Sequence, residues 1–177
     1  MTRDFHENES PAESEANKEL VKRYFDAMER GALDEATEFW ATEATNYASG
    51  RGGQQPTRGR DAIGIVHRML RAAFPDRQYQ IDGMIAEGDQ VVCRMTVSGK
   101  FGGTPPRPPM PVPPSWVGVE GTELVPASGI GEAYSVKHVH IFRITDGQIT
   151  DHWAARDDLG LLLQLGAIAP PDSSPRG

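Results

Sequence analysis

Residues 134–166, YSVKHVHIFRITDGQITDHWAARDDLGLLLQLG, carry the clearest structural signal in this 177-residue chain. Two apolar runs rich in β-branched residues flank Asp146 and Gly147. This dipeptide is typical of two-residue hairpin turns, because both positions tolerate a positive φ. The leucine-rich run that follows ends at Gly166, and glycine commonly follows the last turn of a helix. The stretch therefore predicts a β-hairpin followed by a short helix over residues 159–165.

The register of this hairpin predicts which side chains share a face. Counting outward from the turn pairs Phe142 with Asp151 and His140 with Trp153. Because alternate residues of a strand point to the same side, one face then carries His138, His140, Phe142, Asp151 and Trp153. A bulge after Asp151 would move every later side chain to the opposite face. We expect this face to form the wall of a pocket.

Composition and charge limit the class of partner. The chain has 18 Lys and Arg against 25 Asp and Glu, a formal net charge of −7, and 38% hydrophobic residues. An acidic protein is poorly suited to a nucleic-acid backbone or an anionic membrane, so small molecules or other proteins are the expected partners. No run reaches the roughly 20 apolar residues that span a bilayer, and the acidic N-terminus lacks a signal-peptide core. These features predict a cytoplasmic protein that binds neither nucleic acid nor membrane.

Hydrophobic periodicity divides the rest of the chain into helices, strands and loops. Residues 1–16 are rich in Glu, Ser and Asn, which predicts a disordered leader, and residues 169–177 form a tail. Between them the pattern first predicts three helices, with an extended run after the second and a loop before the third: helices over residues 17–30, 33–40 and 60–74, the extended run over 44–49 and the loop over 50–59.

Two further runs, residues 79–87 and 90–101, alternate in hydrophobicity and predict antiparallel strands. The single cysteine, Cys93, lies in the second run, where a buried and inert thiol is the usual outcome. A Pro-rich segment over residues 102–131 then interrupts the pattern, and so long a connection is either a lid over a functional site or a disordered insertion. Helices followed by antiparallel strands predict an α+β domain over residues 17–168, in which a curved sheet wraps around helices and encloses a cavity.

Several side chains outside the hairpin are candidates for the pocket wall. Trp40 ends the second predicted helix and Tyr47 lies in the extended run, whereas Met95 lies on the apolar face of a predicted strand and His67 beside the apolar stripe of the third helix. All four residue types also occur in ordinary cores, so a structural role is the alternative for each. Together with the aromatic residues of the hairpin, they would suit a planar, hydrophobic polycyclic ligand with a few polar groups.

Two segments resemble the SnoaL-like polyketide cyclase (ester cyclase) family: AAFPDRQYQIDGMIAEGDQVVCRMTVSGKFGG, residues 72–103, and HIFRITDGQITDHWAARDDLGLLLQLG, residues 140–166. The FPD, AEGD, DGxIxxHW and LLxQLG elements carry the resemblance. It implies the cone-shaped α+β fold of ketosteroid isomerase and scytalone dehydratase, a homodimer or larger homo-oligomer, and no cofactor. Cyclases of this family close a ring by intramolecular aldol chemistry on an aromatic polyketide ester, and similar members catalyse hydroxylation or epoxide opening to cyclic ethers, or have no known reaction.

The resemblance also implies site residues. The pocket histidine of the family corresponds to His140, and its acid/base aspartate corresponds to Ala154, which has no carboxylate. We therefore expect His140 and Asp151 to form the acid/base pair, with His138 as a further donor. Asp157 and Asp158 are possible replacement carboxylates, although an acidic pair before a helix is commonly a cap. A metal site at the two histidines is rejected because no third ligand is evident.

Three functions are compatible with these residues. The first is a cofactor-independent cyclase or isomerase of polyketide secondary metabolism, such as antibiotic biosynthesis, which acts by acid/base catalysis on a hydrophobic polycyclic substrate. The second is a non-catalytic small-molecule-binding or accessory protein on the same fold, which the departure at Ala154 favours. The third is a hydroxylase component that relies on substrate chemistry or a partner reductase.

Overall fold

The computed structural model describes residues 11–49, 56–103 and 125–169. Within these ranges the chain forms four α-helices and six strands: α1 (Pro11–Arg30), α2 (Leu33–Glu38), β1 (Trp40–Asn46), β2 (Thr57–Arg58), α3 (Arg60–Ala73), β3 (Gln78–Glu87), β4 (Gln90–Lys100), β5 (Ala133–Thr145), β6 (Gln148–Arg156) and α4 (Asp158–Gln164). Most of the predicted Pro-rich segment and nearly all of the predicted tail lie outside the described residues.

The strands form one curved, unclosed sheet in the order β2-β1-β6-β5-β4-β3, which confirms the predicted α+β class. Antiparallel ladders join β3 to β4, β4 to β5 and β5 to β6, as the alternating runs predict. The sequence did not predict that β1 pairs with β6 in parallel, with Asn46 opposite His152. This contact joins residues 106 positions apart, so local patterns carry no signal for it.

The β5–β6 hairpin turns at Asp146 and Gly147, with φ values of 51° and 71° as the dipeptide predicts. Beyond the turn Ile144 pairs with Ile149, whereas Arg143 pairs with Asp151. Thr150 is therefore an extra residue in β6. Such a bulge shifts the register by one and reverses the side-chain alternation of the residues that follow it.

The predicted face of β6 is wrong for this reason. His140 pairs with Ala154 rather than Trp153, and Phe142 pairs with His152 rather than Asp151. His152 is buried on the inner face of the sheet, the face that packs on the helices. Asp151 and Trp153 alternate with it and point to the outer face.

Several boundaries near the N-terminus also differ from the prediction. Trp40, predicted to end the second helix, is the first residue of β1, and this strand ends at Asn46, before the predicted end at residue 49. The helix α1 begins at Pro11, so the predicted disordered leader over residues 1–16 is wrong for its last part. Proline is well suited to the first turn of a helix, and the Glu15–Lys18 ion pair supports the turns that follow. The predicted loop over residues 50–59 is wrong at Thr57–Arg58, because these residues pair with β1.

The core lies between the inner face of the sheet and the helices α1 and α3. Alternate residues of β4 are completely buried there, including Cys93 and Met95, and burial raises the pKa of the Cys93 thiol to about 11. Tyr24 and Phe25 of α1 pack against Phe142 of β5 at ring-centroid distances of 5.9 and 5.7 Å. None of the helices in the described ranges is long and apolar enough to cross a membrane.

Candidate active site

A cavity lies between the helices and the inner face of the hairpin. The helices contribute Tyr24 and Phe25 from α1 and His67 from α3, whereas the sheet contributes His138, His140 and His152. The strand alternation of β5 directs His138 and His140 inward, and the bulge at Thr150 adds His152 to the same wall. The fold thus gathers a cluster of imidazole rings at one place.

These three histidines form a continuous hydrogen-bonded chain. The Nδ1 of His138 lies 3.2 Å from the Nε2 of His140, and the Nδ1 of His140 lies 2.8 Å from the Nε2 of His152. The Nδ1 of His152 lies 3.1 Å from the Oδ1 of Asn46. The rings of His140 and His152 are stacked, with 5.0 Å between centroids and 3° between planes.

The end of this chain fixes the position of every proton in it. The Oδ1 of Asn46 accepts the backbone N–H of Ala48 at 3.0 Å, so it is an acceptor and the Nδ1 of His152 must donate to it. The Nε2 of His152 is then an acceptor, which requires a proton on Nδ1 of His140. The same logic places a proton on Nδ1 of His138. The Nε2 of His138 is left with a lone pair, and no described residue donates a hydrogen bond to it.

Burial keeps these histidines neutral. It lowers the pKa of His138 to about 3, with the charges of Arg77 and Arg156 acting in the same direction. The pKa values of His140 and His152 are also lowered well below the usual value, mainly by burial. At neutral pH the three hydrogen-bonded histidines therefore carry no charge, and each ring has one donor and one acceptor nitrogen.

His67 belongs to a second, shorter chain on the opposite wall. The hydroxyl of Thr37 donates to the carbonyl of Leu33 at 2.7 Å, so its oxygen accepts from the Nδ1 of His67 at 3.4 Å. The Nε2 of His67 then accepts from the hydroxyl of Tyr24 at 3.1 Å. Burial lowers the pKa of His67 to about 4, so this ring is also neutral.

Three charged side chains line the same cavity. Arg156 donates to the carboxylate of Asp158 at 3.1 Å, and both lie where β6 leads into α4. Arg77 immediately precedes β3, with its guanidinium carbon 5.5 Å from the ring centre of Phe74 and 5.3 Å from that of Tyr79. The cavity of this acidic protein therefore has two arginines and one carboxylate in its wall.

The structure brings only part of the predicted site together. His138, His140 and His67 line the cavity. Phe142 is fully buried behind it and stacks on His152 with 4.5 Å between ring centroids. Trp40 and Met95 are completely buried in the core, so both have the structural role that was the alternative to a place in the pocket wall.

The other predicted residues lie away from the cavity. Asp151 is on the outer face and pairs with Arg143 at 3.5 Å, so it does not meet His140 as predicted. Trp153 stacks on Tyr47 with 5.1 Å between ring centroids, and Tyr47 is 41% exposed. Asp157 is the cap of α4, because its carboxylate accepts the backbone N–H of Gly160 at 2.8 Å. A single cause, the bulge, displaces both Asp151 and Trp153.

Sequence reasoning missed several cavity residues. His152 and Asn46 depend on the bulge and on the parallel β1–β6 contact, for which the sequence has no local signal. Tyr134 could have been found, because it lies on the same alternation of β5 as His138. Ala154 is opposite His140 on the inner side of the hairpin, as expected if it occupies the position of an acid/base residue. Among the described residues no group of three or more His, Cys, Asp and Glu side chains has the geometry to hold a metal ion.

Comparisons with known proteins agree with this architecture. The aklanonic acid methyl ester cyclase DauD from Streptomyces sp. (strain C5) is 27% identical over 153 residues, which cover 86% of this chain and 83% of DauD. The structure of TsrD from Streptomyces laurentii is 25% identical with a TM-score of 0.65, covering 91% of this chain and all of TsrD. A candidate SnoaL-like polyketide cyclase from Jannaschia sp. CCS1 shares the fold with a TM-score of 0.68 at 24% identity, covering 94% of this chain and 100% of that one.

The family comparison covers the whole region that builds the cavity. Residues 18–165 match the SnoaL-like polyketide cyclases, from the second turn of α1 to the end of α4. This span includes the hairpin, the three-histidine chain and the helices opposite them. The chain belongs to the SnoaL-like polyketide cyclase family.

Proposed function

We propose that this protein is a cofactor-independent polyketide cyclase in which His138 is the base that contacts the substrate. The observation that carries the proposal is the lone pair on Nε2 of His138, at the open end of the histidine chain. His140 is less suited to this role than the sequence suggested, because both of its nitrogens are engaged by other histidines. The proposed base, His138, is thus the next inward-facing residue of β5, two positions before the predicted His140.

The proposed reaction is an intramolecular aldol addition. The Nε2 of His138 takes a proton from a carbon between two carbonyl groups, and the electron pair of the C–H bond moves onto an enolate. The enolate carbon forms a new C–C bond with a carbonyl carbon of the same molecule, whose π electrons move to its oxygen. That alkoxide takes the proton back from the imidazolium. The product is an isomer of the substrate, so no oxidant, reductant or cofactor is consumed.

The histidine chain compensates for the weak basicity of a buried imidazole. A proton accepted by His138 can be matched by a shift of the Nδ1 protons along the chain, which moves the positive charge towards His152 and its Asn46 acceptor. Burial disfavours the imidazolium in the empty cavity, whereas the enolate formed beside it favours the charged form. The histidine chain therefore accepts the substrate proton that a carboxylate at position 154 would otherwise accept.

The substrate class follows from the cavity and from the relatives. Aromatic and apolar side chains dominate the helical wall, which suits a planar aromatic polyketide. DauD is named for its action on a methyl ester, aklanonic acid methyl ester. We therefore propose a methyl ester of an aromatic polyketide with a 1,3-dicarbonyl side chain as the substrate.

The direct test is incubation of the protein with such an ester. The product is separated by chromatography, and its mass is measured by mass spectrometry. The proposal requires a cyclised isomer of unchanged mass, formed faster than in buffer alone and without any added cofactor. In D2O the same experiment should show faster deuterium exchange at the acidic carbon, because proton removal precedes ring closure. A protein that binds the ester but accelerates neither exchange nor cyclisation would contradict the proposal.

Ala154 also favours a second candidate function, a non-catalytic protein that binds the same class of ligand. The variant Ala154→Asp distinguishes the two. If the histidine chain is the base, the original protein cyclises the ester and the new carboxylate changes kcat by less than about tenfold, a fraction of the effect of a general base. If the protein only binds the ester, it is inactive, and activity arises only in the variant.

A further inference from the structure

Two neighbouring polar groups in the cavity wall make no hydrogen bond of good geometry. The hydroxyl of Tyr134 and the Nε of Arg77 are buried, and neither makes a hydrogen bond of good geometry with any described residue. Tyr134 is only 4% exposed and Arg77 lines the cavity beside it. An unpaired buried polar group is costly, and buried hydroxyls in folded proteins almost always have a partner. The two groups interact with each other only through a hydrogen bond of poor geometry, so both retain the capacity to donate to a ligand in the cavity that they line.

The backbone is built to allow this arrangement. A Cβ atom at Gly99 would lie 3.2 Å from the Tyr134 hydroxyl, 3.2 Å from the Cα of Arg77 and 2.9 Å from the Oδ1 of Asp76. A side chain at this position would collide with the tyrosine hydroxyl and with the backbone of Arg77. Glycine thus permits the hydroxyl of Tyr134 to lie close to the backbone at Arg77.

Arg77 is held in place by stacking rather than by a carboxylate. Phe74 and Tyr79 contact its guanidinium through their ring faces. Stacking of this kind occupies the faces of the guanidinium plane and leaves the N–H groups at its edge available. Within the described parts of the chain, no acidic side chain lies within ion-pair distance of Arg77, and the neighbouring Asp76 accepts the backbone N–H of Lys100 at 2.7 Å.

We propose that Arg77 and Tyr134 form an oxyanion-binding subsite, which takes a negatively charged oxygen of the ligand. An enolate oxygen and a carboxylate oxygen share this chemistry, since both accept hydrogen bonds from a guanidinium and a hydroxyl. The assignment of an aromatic polyketide rests on the proposed function, whereas binding of the anion does not. In the proposed reaction the enolate forms in the same cavity as His138, where the positive charge of Arg77 would stabilise it.

The electrostatics of the neighbouring groups agree with this assignment. Burial raises the pKa of the Tyr134 hydroxyl to about 12, and both the charge of Arg77 and a side-chain hydrogen bond with Arg77 oppose this rise. Tyr134 therefore remains a protonated donor at any ordinary pH. The positive charge of Arg77 also lowers the pKa of His138, so Arg77 is close enough to act electrostatically on the proposed base. A positive charge that disfavours the imidazolium favours an anion at the same place.

The test uses two planar probes that the protein does not have to turn over. One is 2-acetyl-1,3-indandione, which is an enolate at neutral pH, and the other is 2-naphthoate. Their neutral partners are the enol methyl ether and methyl 2-naphthoate. By titration calorimetry, at least one charged probe should bind about tenfold or more tightly than its neutral partner, the expected effect of a charged hydrogen bond. The larger preference identifies the oxygen that the subsite takes.

Variants then assign the preference to its residues. Arg77→Met keeps the apolar stem and should abolish the preference for charged probes, whereas Tyr134→Phe should reduce it several-fold. Arg94→Met removes the same charge from an exposed position of β4 and should leave probe binding unchanged. Equal binding of charged and neutral probes to the original protein, or an unchanged preference in Arg77→Met, would overturn the proposal.

Thermal melting separates ligand binding from a purely structural role. Because Tyr134→Phe deletes a buried hydroxyl that makes no hydrogen bond of good geometry, the ligand-free variant should melt at about the same or a higher temperature than the original protein, while its stabilisation by the charged probe falls. If the hydroxyl served the fold instead, the variant would melt lower and bind the probe normally, which contradicts the subsite. A charged-probe preference in a protein that fails to cyclise any ester would support the subsite and overturn only the cyclase.

Discussion

The free energy of unfolding should fall steeply as the pH is lowered below about 6.5, the ordinary pKa of histidine. Four buried histidines, His67, His138, His140 and His152, are neutral in the folded protein because burial lowers the pKa of each. In the unfolded chain they take up protons near pH 6.5, so below that pH the unfolded state binds more protons than the folded state. The stability is present above pH 6.5 and is lost as the pH falls towards the lowered pKa values.

The expected size of this effect is large for a protein of this length. Each histidine with a strongly lowered pKa contributes about 1.4 kcal/mol per pH unit within this window. Four of them acting together give a slope of about 5 kcal/mol per pH unit, against a typical total stability of about 5–15 kcal/mol. Urea denaturation followed by circular dichroism at pH 7.5, 6.5 and 5.5 measures this slope.

A single substitution provides the control for this prediction. His67→Gln keeps polar atoms near Thr37 and Tyr24 but removes one titrating group, so it should lower the slope by about 1.4 kcal/mol per pH unit. Its stability at pH 7.5 serves as the reference, because a loss at that pH reports packing and not protonation. A stability that stays constant from pH 7.5 to 5.5 would mean that the histidines titrate equally in both states, and the buried neutral chain would be wrong.

The sequence predicted those parts of the fold that depend on local chemistry. Asp146 and Gly147 determine the hairpin turn, and the alternating run around Cys93 and Met95 predicts β4 and its buried face. The stripe of α1 was also predicted, but its first turns were missed because residues 11–16 bury little and have no apolar pattern. Local signals thus predicted most of the elements and the antiparallel order of β3 to β6, but not β2.

The candidate site was predicted only in part, because it depends on one inserted residue and on contacts between distant segments. Thr150 bulges out of β6, and this alone exchanges Asp151 for His152 on the inner face. The Asn46 acceptor comes from β1 through the parallel pairing that the sequence did not indicate. The family resemblance pointed to a residue of β5 that lines the cavity, yet the hydrogen-bond direction on which we base the proposal of His138 over His140 exists only in three dimensions.

Replacing His138 should remove most of the catalytic activity. A general base contributes about 10²–10⁴-fold to a rate, so we expect His138→Gln to lower kcat for the aromatic ester by about that factor. KM should change much less, because the aromatic and apolar wall that binds the substrate is intact. The kcat and KM of the purified variant, together with its deuterium exchange rate at the acidic carbon, check this prediction. Val139→Ala is the matched control, since Val139 is the next residue of β5 and points to the outer face.

The variant His140→Gln decides between the two histidines. In the proposed mechanism His140 transmits charge without touching the substrate, so its loss should lower kcat less than the loss of His138 and should shift the acid limb of the kcat–pH profile. Nitrogen NMR of the original protein should also find the protons of His138, His140 and His152 on Nδ1, because the Asn46 acceptor directs the whole chain. If His138→Gln stays active while His140→Gln is inactive, the base is His140, as the family position suggested. The hydrogen bond between His138 and His140 would then have to break to expose the Nε2 of His140 to the substrate.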